Sequence, residues 1–133
     1  MSNDLIADTL TRIRNAQRIG QRSVAVQSSR TIRSFLDVLK SEGFIGGYQP
    51  CAIEGSRFEG IEVVLKYFSN GDPAIGLARR VSKSGRRVFS PVKKLPRVLN
   101  GLGISVVSTS QGMMSDREAK KRKIGGEVVA LIG

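Results

Sequence analysis

Two small domains of mixed α/β (α+β) class are predicted by three features of this 133-residue chain. Helical and strand-like hydrophobic periods alternate over its first part, a turn-rich segment follows at Phe68-Ser69-Asn70-Gly71-Asp72-Pro73, and short β-branched runs dominate beyond it. The charge balance changes at the same place: residues 1–67 carry nine Lys/Arg against seven acids, residues 68–133 thirteen against four. The reading is an N-terminal helix-strand-helix-strand-strand domain over 1–68, a linker at 69–73, and a basic, mainly β domain with short helices over 74–133.

In the first domain, Asn3 or Asp4 is placed to cap a helix whose apolar positions Leu5, Ile6, Leu10 and Ile13 recur at helical spacing and which ends near Arg18-Ile19-Gly20. Its other side carries Arg12, Arg14 and Arg18, suited either to a solvated helix end or to phosphate contact. Ser23 to Gln27 reads as a short strand. Ser28 and Ser29 are cap candidates for a second helix with Ile32, Phe35, Leu36 and Leu39 on its core face, stopped by Gly43. Phe44-Ile45 opens a strand toward Tyr48. A loop from Cys51 to Gly60 then leads to the clearest strand of the chain, Ile61 to Tyr67.

The second domain is expected to begin extended from Ala74 to Val81, to turn at Ser82-Lys83-Ser84-Gly85, and to return through Arg86 to Ser90 as a hairpin. That hairpin would gather Arg79, Arg80, Lys83, Arg86 and Arg87 around one tip, a local field suited to phosphate. Leu95 to Gly101 reads as a short helix with Pro96 in its first turn. The strand Ile104–Val107 follows, then a turn, then a short helix from Arg117 to Lys123 capped by Ser115 or Asp116 and cationic at its end. Gly125-Gly126 precedes a closing strand, Glu127 to Ile132; a tight strand entry explains the glycine pair at least as well as a bound phosphate does.

Composition narrows the chemistry. With 22 Lys/Arg, 11 Asp/Glu and no histidine, the net charge is +11, which calls for a polyanionic partner, nucleic acid first. The lack of histidine removes the commonest general base and any Ser-His or Cys-His dyad. Cys51 is the one cysteine, so a disulfide framework and a multi-cysteine metal site are excluded, and a half-exposed filler beside Pro50 is its simplest role. No Walker loop or dinucleotide fingerprint is present. No catalytic residue, metal or other cofactor and no small-molecule substrate is therefore expected. No apolar run approaches membrane-spanning length and the N-terminus lacks signal-peptide regions, so a soluble, intracellular protein without membrane contact is the expectation.

The most informative stretch is the turn Ser108-Thr109-Ser110-Gln111-Gly112, which sets three hydroxyls at a strand end. Uncharged hydroxyls donate and accept at short range and suit base edges, sugars and phosphate oxygens, although such a turn also serves as an ordinary loop bonded to its own backbone. Met113 and Met114 read as packing beneath it. Glu127 is placed to accept from backbone amides or to orient Ser108 or Ser110, the alternative being a solvated strand start. Phe89 either stacks on a base or faces the core. Cations would supply the general attraction and hydroxyls the selection. Two other readings share some of these features: a free-standing DNA- or mRNA-binding regulator, and a transferase for a phosphorylated ligand that lacks a credible base.

The runs Ser108 to Gly112, Met114-Ser115-Asp116-Arg117-Glu118-Ala119 and Ile124-Gly125-Gly126-Glu127 resemble the signature of the bacterial-type small-subunit ribosomal protein S-eight family. Ile6 to Ala16, Leu39 to Ile45, Leu65-Lys66-Tyr67, Arg80-Val81-Ser82 and Leu95-Pro96-Arg97-Val98 match it in the same order across nearly the whole chain. The resemblance implies a two-domain protein, without catalysis, that binds the central domain of 16S-type ribosomal RNA early in assembly of the small subunit. It implies RNA contact by Ser108, Thr109, Ser110, Gly112 and Glu127. It also implies neighbouring small-subunit proteins as partners, repression of the protein's own messenger RNA in some members, and a place in the ribosome of a bacterium or an organelle. This chain departs from the family in carrying Phe89 where tyrosine is usual, and in ending Val129-Ala130-Leu131-Ile132-Gly133 without the usual Cys-Tyr.

Overall fold

The computed structural model describes residues 5–52, 55, 59–83 and 85–133, which divide into two compact units, Leu5–Ile75 and one running from Gly76 to Gly133. Asn3, Asp4 and Ser84, named above as cap and turn residues, lie outside the described residues. Both units are mixed α/β with antiparallel sheets.

The first unit follows the periodicities. Helix α1 (Leu5–Arg18) buries Ile6, Leu10, Ile13 and Ala16, and helix α2 (Arg30–Ser41) buries Ile32, Phe35, Leu36, Val38 and Leu39. Ser29 caps α2: its Oγ accepts from the Ile32 N–H at 3.0 Å, and Gly43 just past the end adopts φ 83, open to glycine without strain. Strands β1 (Ser23–Gln27), β2 (Ile45–Ala52) and β3 (Glu59–Leu65) form a sheet in the order β1-β3-β2. The central strand β3 buries Ile61, Val63 and Leu65, alternate residues on one face. Each fully buried Ile, Leu or Phe here removes enough apolar surface from water to stabilise the fold by about 1.5–3 kcal/mol.

Two details of this unit differ from the expected pattern. Strand β2 runs on through Pro50 to Ala52, pairing Cys51 with Gly60 and Ala52 with Glu59, where a loop was expected. Proline is tolerated because β2 is an edge strand and needs no amide on its outer side. Strand β3 begins at Glu59 and ends at Leu65, two residues earlier at each end than expected, while Tyr67 forms an isolated bridge to Pro73. The Asn70 side chain accepts from the Asp72 N–H, so the turn at 68–73 is closed by its own bonds.

The second unit contains β4 (Ala78–Arg80), β5 (Phe89–Ser90), β6 (Ile104–Thr109), β7 (Gly112–Ser115), helix α3 (Asp116–Arg122) and β8 (Gly126–Ile132), with single 3₁₀ turns at Val92–Lys94 and Leu99–Gly101. Its sheet runs β4-β8-β6-β7, with β5 also on β8. Of the expected hairpin only the tip forms, as an antiparallel bridge between Lys83 and Arg86, and β4 and β5 do not pair with each other. Both strands pair with β8: Ala78, Arg79 and Arg80 face Ile132, Leu131 and Ala130, and Phe89 and Ser90 face Glu127 and Gly126. Between them the Val81 and Ser82 amides continue the ladder onto Val129 and Val128, and the Val128 amide donates to Val88. Residues 83–87 thus leave a single edge line and return to it. The physical reason is that β8 offers seven residues of edge, which binds both arms more fully than they would bind each other.

The helix expected over 95–101 is also absent. Pro96 disfavours helical geometry at Leu95, which sits at φ −59, ψ 133, and the segment breaks into the two 3₁₀ turns on either side. Leu95, Val107, Met114, Ala119 and Val128 form the core cluster, with Val92 and Ile124 packed against it. Ser115 caps α3 by accepting from the Glu118 N–H at 3.3 Å, while the buried Asp116 carboxylate accepts the Ser105 amide at 3.2 Å.

Candidate nucleic-acid interface

The alternation of the second sheet sorts its residues cleanly. Val107 pairs with Met114 and Val128, and all three belong to the core cluster. One residue along, Ser108 pairs with both Met113 and Glu127, and Glu127 pairs with Phe89. Because successive side chains alternate across a sheet, Phe89, Glu127, Ser108 and Met113 form one row on the face opposite that cluster, the face on which β6 also buries Ile104 and Val106. Phe89 is 71% exposed, against the alternative that it faces the core; the other three are half-buried. An exposed aromatic ring beside hydroxyl and carboxylate acceptors is a surface on which a base can stack and present its edge. Met113 belongs to this face, whereas Met114 alone packs beneath the hairpin, which separates two residues the sequence treated alike.

The glycine pair makes the row possible. A Cβ on Gly126 would come within 2.3 Å of the Ser108 carbonyl oxygen, and one on Gly125 within 2.4 Å of the Ser90 carbonyl oxygen. Close backbone approach therefore accounts for both glycines.

Past the row, β6 and β7 join in a two-residue turn, Ser110-Gln111, with Thr109 paired to Gly112. Gly112 adopts φ 111, which a side chain would strain. The three hydroxyls have different roles. Thr109 Oγ1 donates to the Gly112 carbonyl oxygen at 2.7 Å and accepts from the Gln111 amide at 3.1 Å, so it builds the turn. The Ser108 and Ser110 hydroxyls have no side-chain hydrogen bond among the described residues; Ser110 is exposed and Ser108 half-buried. The tip is also braced from α3, where Arg122 Nη1 donates to Gln111 Oε1 at 3.1 Å while its Nε donates to Glu118 at 3.1 Å.

Glu127 does not orient Ser108 or Ser110. Its Oε2 accepts instead from Ser82 Oγ and from Arg87 Nη1, the latter at 3.0 Å. Ser82 lies on the edge line beside β8, and Arg87 on the turn that leaves it. Burial pushes the Glu127 carboxyl up, but the Ser82 and Arg87 hydrogen bonds and the charges of Arg87 and Arg80 outweigh it and hold the group below its ordinary range. A carboxylate that stays ionised accepts donors and repels phosphate.

The cations divide. Arg79, Arg80, Lys83 and Arg86 line one open cleft together with Val81, Val88 and Leu131. Lys83 and Arg86 are joined by reciprocal backbone hydrogen bonds of 2.9 Å, exposed, and without an ion pair among the described residues. Arg80 Nη1 donates to the Val129 carbonyl oxygen at 2.8 Å, and Arg87 is tied to Glu127. Arg12 and Arg14 belong to the first unit, where Arg12 pairs with Asp8 at 3.0 Å and Arg14 donates to Thr11 at 3.2 Å. The structure therefore brings Ser108, Thr109, Ser110, Gly112, Glu127, Phe89, Arg86, Arg87 and Lys83 onto one unit, with Arg12 and Arg14 on the other.

Ser82 was not legible as part of this site. It is fully buried, and its sequence signals, a hydroxyl at a presumed turn and a place in the family-like run Arg80-Val81-Ser82, gave it no role. Among the described residues there is no cluster of three or more His, Cys, Asp or Glu side chains for a metal, and no helix long and apolar enough to cross a membrane.

Fold and site define a strongly basic, two-unit α/β protein whose second sheet carries a polar face suited to RNA. The family model for ribosomal protein S8 matches residues 4–132. The small ribosomal subunit protein uS8 of Rhodopseudomonas palustris (strain BisA53) is 51% identical over 128 residues, 96% of each chain, and that of Bradyrhizobium sp. (strain ORS 278) is 51% identical with the same coverage. The protein of that name from Azorhizobium caulinodans is 49% identical over 130 residues, 98% of this chain and 97% of its own. The chain belongs to the ribosomal protein S8 family.

Proposed function

We propose that this protein is a structural constituent of the bacterial small ribosomal subunit that binds the central domain of 16S-type rRNA directly, supports subunit assembly and performs no catalysis. The second unit, from Gly76 to Gly133, is the rRNA-binding domain. The observation that carries this reading is the row Phe89, Glu127 and Ser108 on the face opposite the core cluster, continued by the exposed Ser110, in the same unit that exposes Lys83 and Arg86. Cations hold the phosphate backbone at a strength that falls with salt, while the ring and the uncharged hydroxyls meet bases or sugars and choose among RNAs. Arg12 and Arg14 add contacts from the first unit. Neighbouring small-subunit proteins cover other surfaces, and the same RNA-reading face serves for binding the protein's own messenger RNA.

Competition of a labelled central-domain rRNA fragment against equal-length duplex DNA at physiological salt tests the proposal. Preference for the rRNA fragment by tenfold or more, about 1.4 kcal/mol, is the expected result; equal affinity would overturn it.

A further inference from the structure

The turn at 83–86 is closed by the reciprocal Lys83–Arg86 backbone hydrogen bonds, and its base is tied to a single carboxylate. It leaves the β8 edge after Ser82 and rejoins it at Val88, and the two ends are joined through Ser82 Oγ, which accepts the Val88 amide at 3.1 Å and donates to Glu127 Oε2. The same oxygen accepts Arg87 Nη1 at 3.0 Å. Ser82 is fully buried, so its hydroxyl has no water to turn to, and the three groups form a closed neck below the exposed Lys83 and Arg86.

From this geometry we infer that Ser82 and Glu127 are positioning residues: they fix the loop so that Lys83 and Arg86 meet the phosphates of the RNA engaged by the row. This inference rests on the RNA-binding reading above. The Lys83–Arg86 bonds close the turn itself, but without the neck that turn would swing as a unit about its base, and each cation would give up part of its contact as ordering entropy on binding. The neck removes that cost in advance. Glu127 then acts through the cations beside it, in addition to standing in the row.

The coupling is measurable with the full chain and the central-domain rRNA fragment. Ser82→Ala is expected to weaken binding and to flatten the dependence of log Kd on log salt, as Lys83→Ala with Arg86→Ala does, by up to about two units of slope. In a double-mutant cycle, Ser82→Ala and Lys83→Ala/Arg86→Ala should be non-additive by at least about threefold in Kd. Arg87→Ala, an exposed change that leaves the core intact, repeats the cycle should Ser82→Ala fail to fold. Additive effects with an unchanged slope would overturn the positioning role and leave the RNA-binding reading standing. A wild-type protein with no preference for the rRNA fragment would defeat that reading itself.

Discussion

Thr109 Oγ1 and the Gly112 carbonyl oxygen, 2.7 Å apart, close the hairpin that carries Ser110 into solvent. Two hydroxyls adjacent in sequence thus have separable effects. Thr109→Ala removes two local hydrogen bonds and is expected to cost about 0.5–1.5 kcal/mol of stability, read as a lowered melting temperature. Ser110→Ala should leave melting unchanged and weaken rRNA binding by about 0.5–1.5 kcal/mol with the salt slope unaltered. An unchanged Kd for Ser110→Ala at matched salt would remove Ser110 from the RNA-reading surface.

Phe89 stands 71% exposed on an edge strand, and truncating it removes little packing. Phe89→Ala is expected to alter stability by no more than about 0.5 kcal/mol. If its ring stacks on a base, the same change costs about 1–3 kcal/mol of rRNA affinity. Chemical denaturation and fluorescence titration of one preparation compare the two quantities directly.

Arg86 is exposed and unpaired among the described residues, so Arg86→Ala should lower affinity for rRNA and duplex DNA alike and reduce each salt slope by about one unit. A loss confined to one RNA sequence would contradict its assignment as a phosphate contact.

The sheet leaves no room at Gly126, where a Cβ would meet the Ser108 carbonyl oxygen at 2.3 Å. Gly126→Ala is expected to destabilise the protein by about 1–3 kcal/mol, because the obstacle is backbone on the neighbouring strand and not a side chain that can turn away. Differential scanning calorimetry reads this. Gly71→Ala offers a contrast: its φ of 94 strains any side chain, yet nothing lies within 4 Å of the added carbon.

Glu127 contributes to the acid limb of stability. Its carboxyl is held below the ordinary value of 4.5, so between the folded and unfolded values the unfolded chain binds more protons. The stabilisation is complete above the ordinary value and is lost as pH falls through the lowered one. Urea midpoints measured down through the acid range should show wild type losing stability there, and Glu127→Gln should lose less; parallel acid limbs would count against the ion pair.

Local chemistry was enough for much of the fold. The 3.6-residue period over Leu5–Ile13 and Ile32–Leu39 and the serine before α2 and glycine after it each act over a few residues and lie where their pattern implies, and the strand read at Ile61–Tyr67 forms two residues earlier at each end. The turn at Gln111-Gly112 was legible for the same reason. Pro96 carried a signal that pointed both ways: it is compatible with a helix start and hostile to helical geometry in the residue before it, and the second effect won at Leu95.

By itself, then, the sequence determined the three α-helices, though not the break at 95–101, along with most of the strand segments, the basic surplus of the second half and the hydroxyl turn, because these depend on neighbours along the chain. Only the tertiary structure decided that β4 and β5 share the edge of β8, that Met113 faces out while Met114 faces in, and that Glu127 takes Ser82 and Arg87 as partners. Those choices depend on which strand supplies the longer unpaired edge and on the register across it. Glu127 and Ser82 are 45 positions apart in the chain, a separation at which no local propensity acts.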